Sequence, residues 1–163
     1  MSFFPYNADT LCGADHDTQE NRDQLRLAAQ QGDLEKVSEL LDLGVDPDQT
    51  RDDFTGGDTA LVFAADNGHV QVVKALLAAG ANKDLPNSWG QSALWCACFC
   101  GHLECVRVLM EAGADTSIMC CTGDYAGKKA VNVVSGRNSG AIHALLGDPK
   151  RRSSARAEAP AYA

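Results

Sequence analysis

Long apolar runs are missing from this 163-residue chain, in which nothing approaches the roughly 18 consecutive apolar residues that a membrane-spanning helix requires. Its first ten residues, MSFFPYNADT, carry neither a basic n-region nor an adequate apolar stretch, so no secretory leader is read there. Positive charge is short as well: 14 Lys and Arg face 22 Asp and Glu, for a formal net charge of -8. Affinity for nucleic acid or an anionic membrane comes mainly from Lys and Arg neutralising phosphates, so neither is an expected partner. No Ser/His/Asp arrangement, phosphate-binding glycine loop or paired-carboxylate spacing occurs, and the expectation is a protein that is not an enzyme and holds no cofactor. Aromatic residues make up only 6% of the chain, which makes the position of each one informative.

What is present is enough to build a core. Hydrophobic residues account for 45% and charged residues for 22%, too apolar for a wholly disordered chain and about the right length for one domain with short tails. The acids are unevenly placed: residues 1–58 carry 14 acids against 4 bases, and residues 59–163 carry 8 against 10. Seven cysteines is an odd number, and Cys96, Cys98, Cys100 and Cys105 fall within apolar helical pattern. Reduced thiols in a cytosolic-type compartment fit that placement, so the expected location is cytoplasmic, with the nucleus also open.

An internal repeat organises most of the chain. GDTALVFAADNGHVQVVKALLAAGANKD from Gly57 aligns with GQSALWCACFCGHLECVRVLMEAGADTS from Gly90, an offset of 33 residues. An earlier copy, QLRLAAQQGDLEKVSELLDLGVDPD, places Leu25, Ala28, Ala29, Gly32, Leu40, Leu41 and Gly44 36 residues ahead of Leu61, Ala64, Ala65, Gly68, Leu76, Leu77 and Gly80. A degenerate copy, KKAVNVVSGRNSGAIHALL from Lys128, keeps the apolar skeleton Val131, Val134, Ile142, Leu145 and Leu146. Within each unit, a first stretch such as Leu61, Ala64 and Ala65 has helical spacing with small residues that permit close approach, and Gly68 interrupts it. Val72, Val73, Leu76 and Leu77 then form a second apolar stripe, closed by Gly80 as a left-handed cap. A lone helix pair cannot bury both faces, so the units must stack, with terminal units polar on the outside. Lys36 stands where Val72 and Cys105 stand in later units, and Gln24 and Arg26 replace small or apolar neighbours, which predicts a solvent-facing first unit.

These residues resemble the ankyrin repeat. Thr59-Ala60-Leu61 and Ser92-Ala93-Leu94 stand where the family has Thr-Pro-Leu, followed by the small-residue pair, Gly-His at 68–69 and 101–102, the Val/Leu helix, and Gly-Ala-Asn/Asp. The likeness spans about residues 23–147 and departs at the family's next histidine, where Arg26, Val62 and Trp95 stand. It implies an all-α ankyrin-repeat solenoid of paired antiparallel helices with hairpin-like loops. The expected organisation is a flexible acidic N-terminal tail at 1–21, a repeat domain at 22–147 divided at 23–56, 57–89, 90–126 and 127–147, and a flexible basic C-terminal tail at 148–163.

The resemblance also implies function: a protein–protein interaction module, acting as an adaptor or regulatory subunit and monomeric when unbound. A fixed structural subunit of a large assembly is the alternative, and a thiol redox protein a further one. In the ankyrin fold the loop before each first helix and the end of that helix line a concave groove. Carried over by position, this selects Phe54, Thr55, Asp58, Asp66 and Asn67; then Ser88, Trp89, Gln91, Phe99 and Cys100; then Tyr125, Lys128 and Arg137. Phe54, Trp89, Phe99 and Tyr125 form the aromatic row of that set, the residue type that commonly anchors an interface. The competing reading packs Phe99 against its own neighbours and folds Phe54 into the loop from Asp46 to Asp58, which the 36-residue offset makes three residues longer than the 33-residue unit needs.

Other constellations read blandly. A zinc site needs converging ligands, but on a helix Cys98 points away from Cys96 and Cys100, so no metal is expected. Cys98 matches Ala65 and Cys105 matches Val72, which makes both small core residues, whereas Cys120 and Cys121 are expected to be exposed. His69 and His102 are expected to support their turns by hydrogen bonds. Lys150-Arg151-Arg152-Ser153-Ser154 resembles a basophilic kinase substrate, with Ser154 as the candidate modification site and a solvated basic tail as the alternative.

Overall fold

A computed structural model describes residues 17–50 and 56–147. The terminal segments 1–16 and 148–163 lie outside the described residues, as does 51–55. The described chain folds as α1 (Gln19–Gln31), α2 (Leu34–Asp42), α3 (Ala60–Asp66), α4 (Val70–Ala78), α5 (Ala93–Cys100), α6 (Leu103–Glu111) and α7 (Ser139–Gly147), with 3-10 turns at Gly123–Tyr125 and Ala130–Asn132. Each inner helix packs on the next in the order α1, α3, α5 and the Ala130–Asn132 turn, while α2, α4, α6 and α7 form a parallel outer row. This is a helical solenoid, as the repeat implies.

Local chemistry starts and stops these helices. Thr18, Thr59 and Ser92 accept hydrogen bonds at their side chains from the backbone N–H of Asn21, Val62 and Trp95, the N-cap arrangement that satisfies an orphan donor of the first turn. Thr18 thereby starts α1 at Gln19, inside the stretch that the sequence pattern reads as tail. Gly68 follows α3 with φ +77°, and a Cβ built there would lie 2.7 Å from the His102 ring. Only glycine satisfies both the conformation and the contact.

Small residues let the units close up. Ala29, Ala64, Ala65, Ala97 and Cys98 are fully buried between larger side chains, with Leu61, Leu76, Leu94 and Leu109 filling the centre of the stack. Cys105 is likewise buried, so Cys98 and Cys105 are the core residues that their alignment with Ala65 and Val72 predicts. In the fourth unit Ala130 and Val133 are the buried inner positions, and Val131 and Val134 are only partly covered, a one-residue shift from the skeleton read off the sequence. Its first helix is reduced to the 3-10 turn, so helical spacing misplaces the core there.

Two exposure expectations are corrected. Arg26, read as part of a solvent-facing cap, is only 8% exposed: it forms an ion pair with Asp23, and its Nη1 is buried without a hydrogen-bond partner. It occupies the position of Val62 and Trp95, which the stacking covers whatever residue stands there. Cys120, expected beside Cys121 on the surface, is 2% exposed and its thiol lies 3.2 Å from the Trp89 carbonyl, whereas Cys121 is exposed. Lys36 behaves as a first-unit surface residue, pairing with Glu39 at 3.0 Å.

Hydrogen bonds between units recur in the loops and at the helix ends. Asp48 accepts from the backbone N–H of Asn82 and Asp84 from that of Asp115, both at 2.7 Å. His69 Nε2 lies 3.0 Å from the Gln30 carbonyl and His102 Nε2 2.9 Å from the Asp66 carbonyl. A carbonyl only accepts, so each Nε2 carries the proton. The histidines therefore tie each unit to the one before it, and neither side chain makes a capping hydrogen bond in its own turn, where the sequence reading expects its support.

Candidate functional site

The loops preceding the inner helices form fingers that join side by side. The backbone N–H of Ser88 donates to the Gly56 carbonyl at 2.7 Å, and that of Cys121 to the Trp89 carbonyl at 2.8 Å. The last finger closes as a short hairpin, with an antiparallel bridge between Met119 and Lys129 and the Gly123–Tyr125 turn at its tip. These fingers and the inner helices carry the positions that the ankyrin resemblance assigns to a concave groove.

Asn87, missed by the sequence reading, organises the second finger. It is 6% exposed; its amide donates to Asp58 at 2.7 Å and to the Gln91 side chain at 3.3 Å, and its oxygen accepts from the backbone N–H groups of Trp89 and Gln91. That network sets the turn from which Trp89 projects. The indole lies against the backbone of Gly56, where a Cβ would stand 2.6 Å from the ring, and the residue remains 39% exposed. Ser88 is exposed beside it, while Asp58 and Gln91 are half-buried in the Asn87 network.

A second aromatic group stands one unit further on. Phe99 stacks on Trp95 at 5.3 Å with an interplanar angle of 13°, and Tyr125 meets both rings edge-on at 5.3 and 5.7 Å. The Trp95 indole N–H donates to the Lys128 carbonyl at 3.3 Å, and the Lys128 ammonium lies 5.1 Å from the centre of the Tyr125 ring. Trp95 is buried, Phe99 half-buried, and Tyr125 36% exposed. Phe99 thus packs on its neighbours, as the competing reading has it, yet it does so in a cluster whose outer edge is Tyr125. The signal that could have found this cluster is Trp95 in the family's histidine position, where a large ring must lie under the next finger.

On the groove floor, Asp66 and Asn67 are exposed at the end of α3. The Asn67 amide turns back to the Phe63 carbonyl at 2.9 Å, and the Cys100 thiol lies 3.2 Å from the Asp66 carboxylate. Arg137 is exposed in the loop before α7. Leu27, 53% exposed on α1, and the half-buried Phe63 occupy equivalent inner-face positions that the sequence reading also missed. Phe54, Thr55 and Ser154 lie outside the described residues.

Four of the thiols, Cys96, Cys98, Cys100 and Cys105, are poorly suited to nucleophilic work. Burial pushes Cys96 well above the usual thiol range, Cys98 up to about 12 and Cys105 up to about 11. Cys100 is also raised to about 12, first by desolvation and then by its hydrogen bond to the Asp66 carboxylate and that group's charge. Reactive cysteines sit in the opposite, thiolate-stabilising surroundings. Among the described residues no group of three or more His, Cys, Asp or Glu side chains is placed to hold a metal ion, and no helix is long and apolar enough to cross a membrane.

Comparison with known proteins agrees with this architecture. A family model for ankyrin repeats, in three copies, matches residues 25–120. The chain belongs to the ankyrin-repeat family. Over 72 residues it is 36% identical to the human "Ankyrin repeat domain-containing protein 40", covering 44% of this chain and 19% of that protein. Over 87 residues it is 36% identical to the Drosophila melanogaster "Ankyrin repeat and KH domain-containing protein mask", covering 53% of this chain and 2% of that protein. The likeness is therefore to a repeat segment within much longer proteins. Ankyrin repeats generally mediate binding to other proteins, and the family is typically non-enzymatic.

Proposed function

We propose that this ankyrin-repeat protein is a non-catalytic adaptor or regulatory subunit, and that it binds a partner protein in the groove between its fingers and inner helices. The observation that carries this reading is the exposure of Trp89 and Tyr125 on adjacent fingers, each held on one side by the protein and open on the other. Trp89 rests on Gly56 within the Asn87 network; Tyr125 rests on Phe99 and Trp95. Aromatic side chains fixed in this way offer large contact area with little rotamer entropy left to lose on binding. The raised pKa values of Cys96, Cys98, Cys100 and Cys105 weigh against the redox alternative at those four thiols.

Affinity capture from native lysate tests the reading, with the intact protein and a Trp89→Ala/Tyr125→Ala variant compared by mass spectrometry and helical circular dichroism recorded for both. Loss of a specific partner from the variant, with helicity unchanged, is the expected result. Equal recovery by both proteins would move the binding surface away from this groove.

A further inference from the structure

The groove changes charge along its length. On α1, Glu20, Asp23, Leu27 and Gln30 recur at helical spacing on the side where Leu27 is left open, so Glu20 supplies the negative charge at this end while Asp23 is already paired with Arg26. Asp66 follows on the floor, exposed, with the Cys100 thiol on its carboxylate and no cation paired to it among the described residues; Asp58 stands in the adjoining finger, held by Asn87. The aromatic stretch of Trp89, Phe99 and Tyr125 comes next. Beyond it Lys128 is exposed over the Tyr125 ring without a paired carboxylate among the described residues. The fourth unit, residues 127–147, contains Lys128, Lys129 and Arg137 and no Asp or Glu. Asp124, at the tip of the last finger, is an acid within the otherwise basic end.

From this polarity we infer that the groove takes an extended peptide segment of a partner whose ends are oppositely charged. Its Lys or Arg lies toward α1 and Asp66, apolar residues lie against Trp89 and Tyr125, and its Asp or Glu lies toward Lys128. This rests on the groove being the binding face, and adds the chemistry and orientation of what enters it. Complementary charge at both ends fixes the direction in which the segment lies and disfavours the reverse one, which would place like charges together. At about 3.3 Å per residue, roughly ten extended residues cover three stacked inner helices about 10 Å apart.

The test uses the full chain to select binders from a phage library of random 12-residue peptides, followed by fluorescence anisotropy on the enriched peptides. The inference expects enriched sequences with a base at one end, an apolar middle and an acid at the other. It expects Asp66→Lys to weaken such a peptide about tenfold or more. Replacing the peptide's base by Glu should restore binding to Asp66→Lys, and Lys128→Glu should show the matching swap at the other end. Enriched peptides without charge polarity that still require Trp89 and Tyr125 would overturn the charge assignment while leaving the groove in place. Peptides insensitive to Trp89→Ala/Tyr125→Ala, or no enrichment at all, would overturn the groove reading together with the inference. A concentration-dependent dimer in sedimentation, abolished by Asp66→Lys, would put a second copy of this chain in the groove and overturn the peptide assignment.

Discussion

Cysteine shows how strongly position governs chemistry in this protein. Cys98 and Cys105 are core residues in the places of an alanine and a valine, Cys120 is buried within the last finger, and Cys100 is exposed but shielded from ionisation beside Asp66. Only a thiolate attacks an alkylating agent. At pH 8 a thiol with a pKa of about 12 is ionised to about one part in 10⁴. In a Cys12→Ser background, maleimide labelling at pH 8 should therefore modify Cys121 first and Cys100 far more slowly. Cys96, Cys98, Cys105 and Cys120 should label only on unfolding. Peptide mapping of a labelling time course checks the order, and rapid labelling of Cys100 in the folded protein would contradict it.

What could be read at this scale depended on whether a residue's surroundings repeat. Cys98, Cys105 and the two Gly-His pairs were legible because other units hold a residue in the same place. Asn87 was not, since it acts through contacts with the neighbouring finger that no local pattern encodes, while Trp95 showed only as a departure from the family's histidine, without the rings that it meets. Arg26 was misread because a charged side chain suggests solvent, while the position is covered in every unit.

At the scale of elements, the helix-ending glycines differ in a way that separates two costs. Gly68 and Gly80 both have positive φ, at +77° and +90°, but a Cβ on Gly68 would meet the His102 ring at 2.7 Å and one on Gly80 would meet nothing within 4 Å. Gly80→Ala carries only the left-handed backbone penalty of about 1–2 kcal/mol. Gly68→Ala must in addition displace His102 and break its bond to the Asp66 carbonyl, which adds on the order of 1 kcal/mol. Chemical denaturation of both variants should show Gly68→Ala to be the less stable, and equal midpoints would contradict the account of the Gly-His pair. Helix pairing and the fold class followed directly from the repeat. The fourth unit's register did not, because three residues in a 3-10 turn do not keep the helical period.

For the whole molecule, stacking makes stability a shared property of neighbouring units. The buried thiols give it an alkaline limit. Cys98 and Cys105 have folded pKa values of about 12 and about 11 against an ordinary value of 9.0, so they stay protonated in the fold while the unfolded chain ionises. Their contribution is complete below about pH 9 and is lost as pH rises through the folded values. Thermal unfolding should show a Tm that falls above pH 9, and a Cys98→Ala/Cys105→Val variant, carrying the residues of the preceding unit, should show a shallower fall. Identical slopes would remove the thiols as the cause.

The central claim concerns which side of this ankyrin stack meets a partner, and hydrogen–deuterium exchange of the intact protein with and without its captured partner measures that side directly. The account predicts new protection at residues 87–91 and 123–128 and at the ends of α3 and α5, with α2, α4 and α6 unchanged. Protection confined to α2, α4 and α6, with the fingers exchanging as before, would place the interface on the outer row and contradict the account.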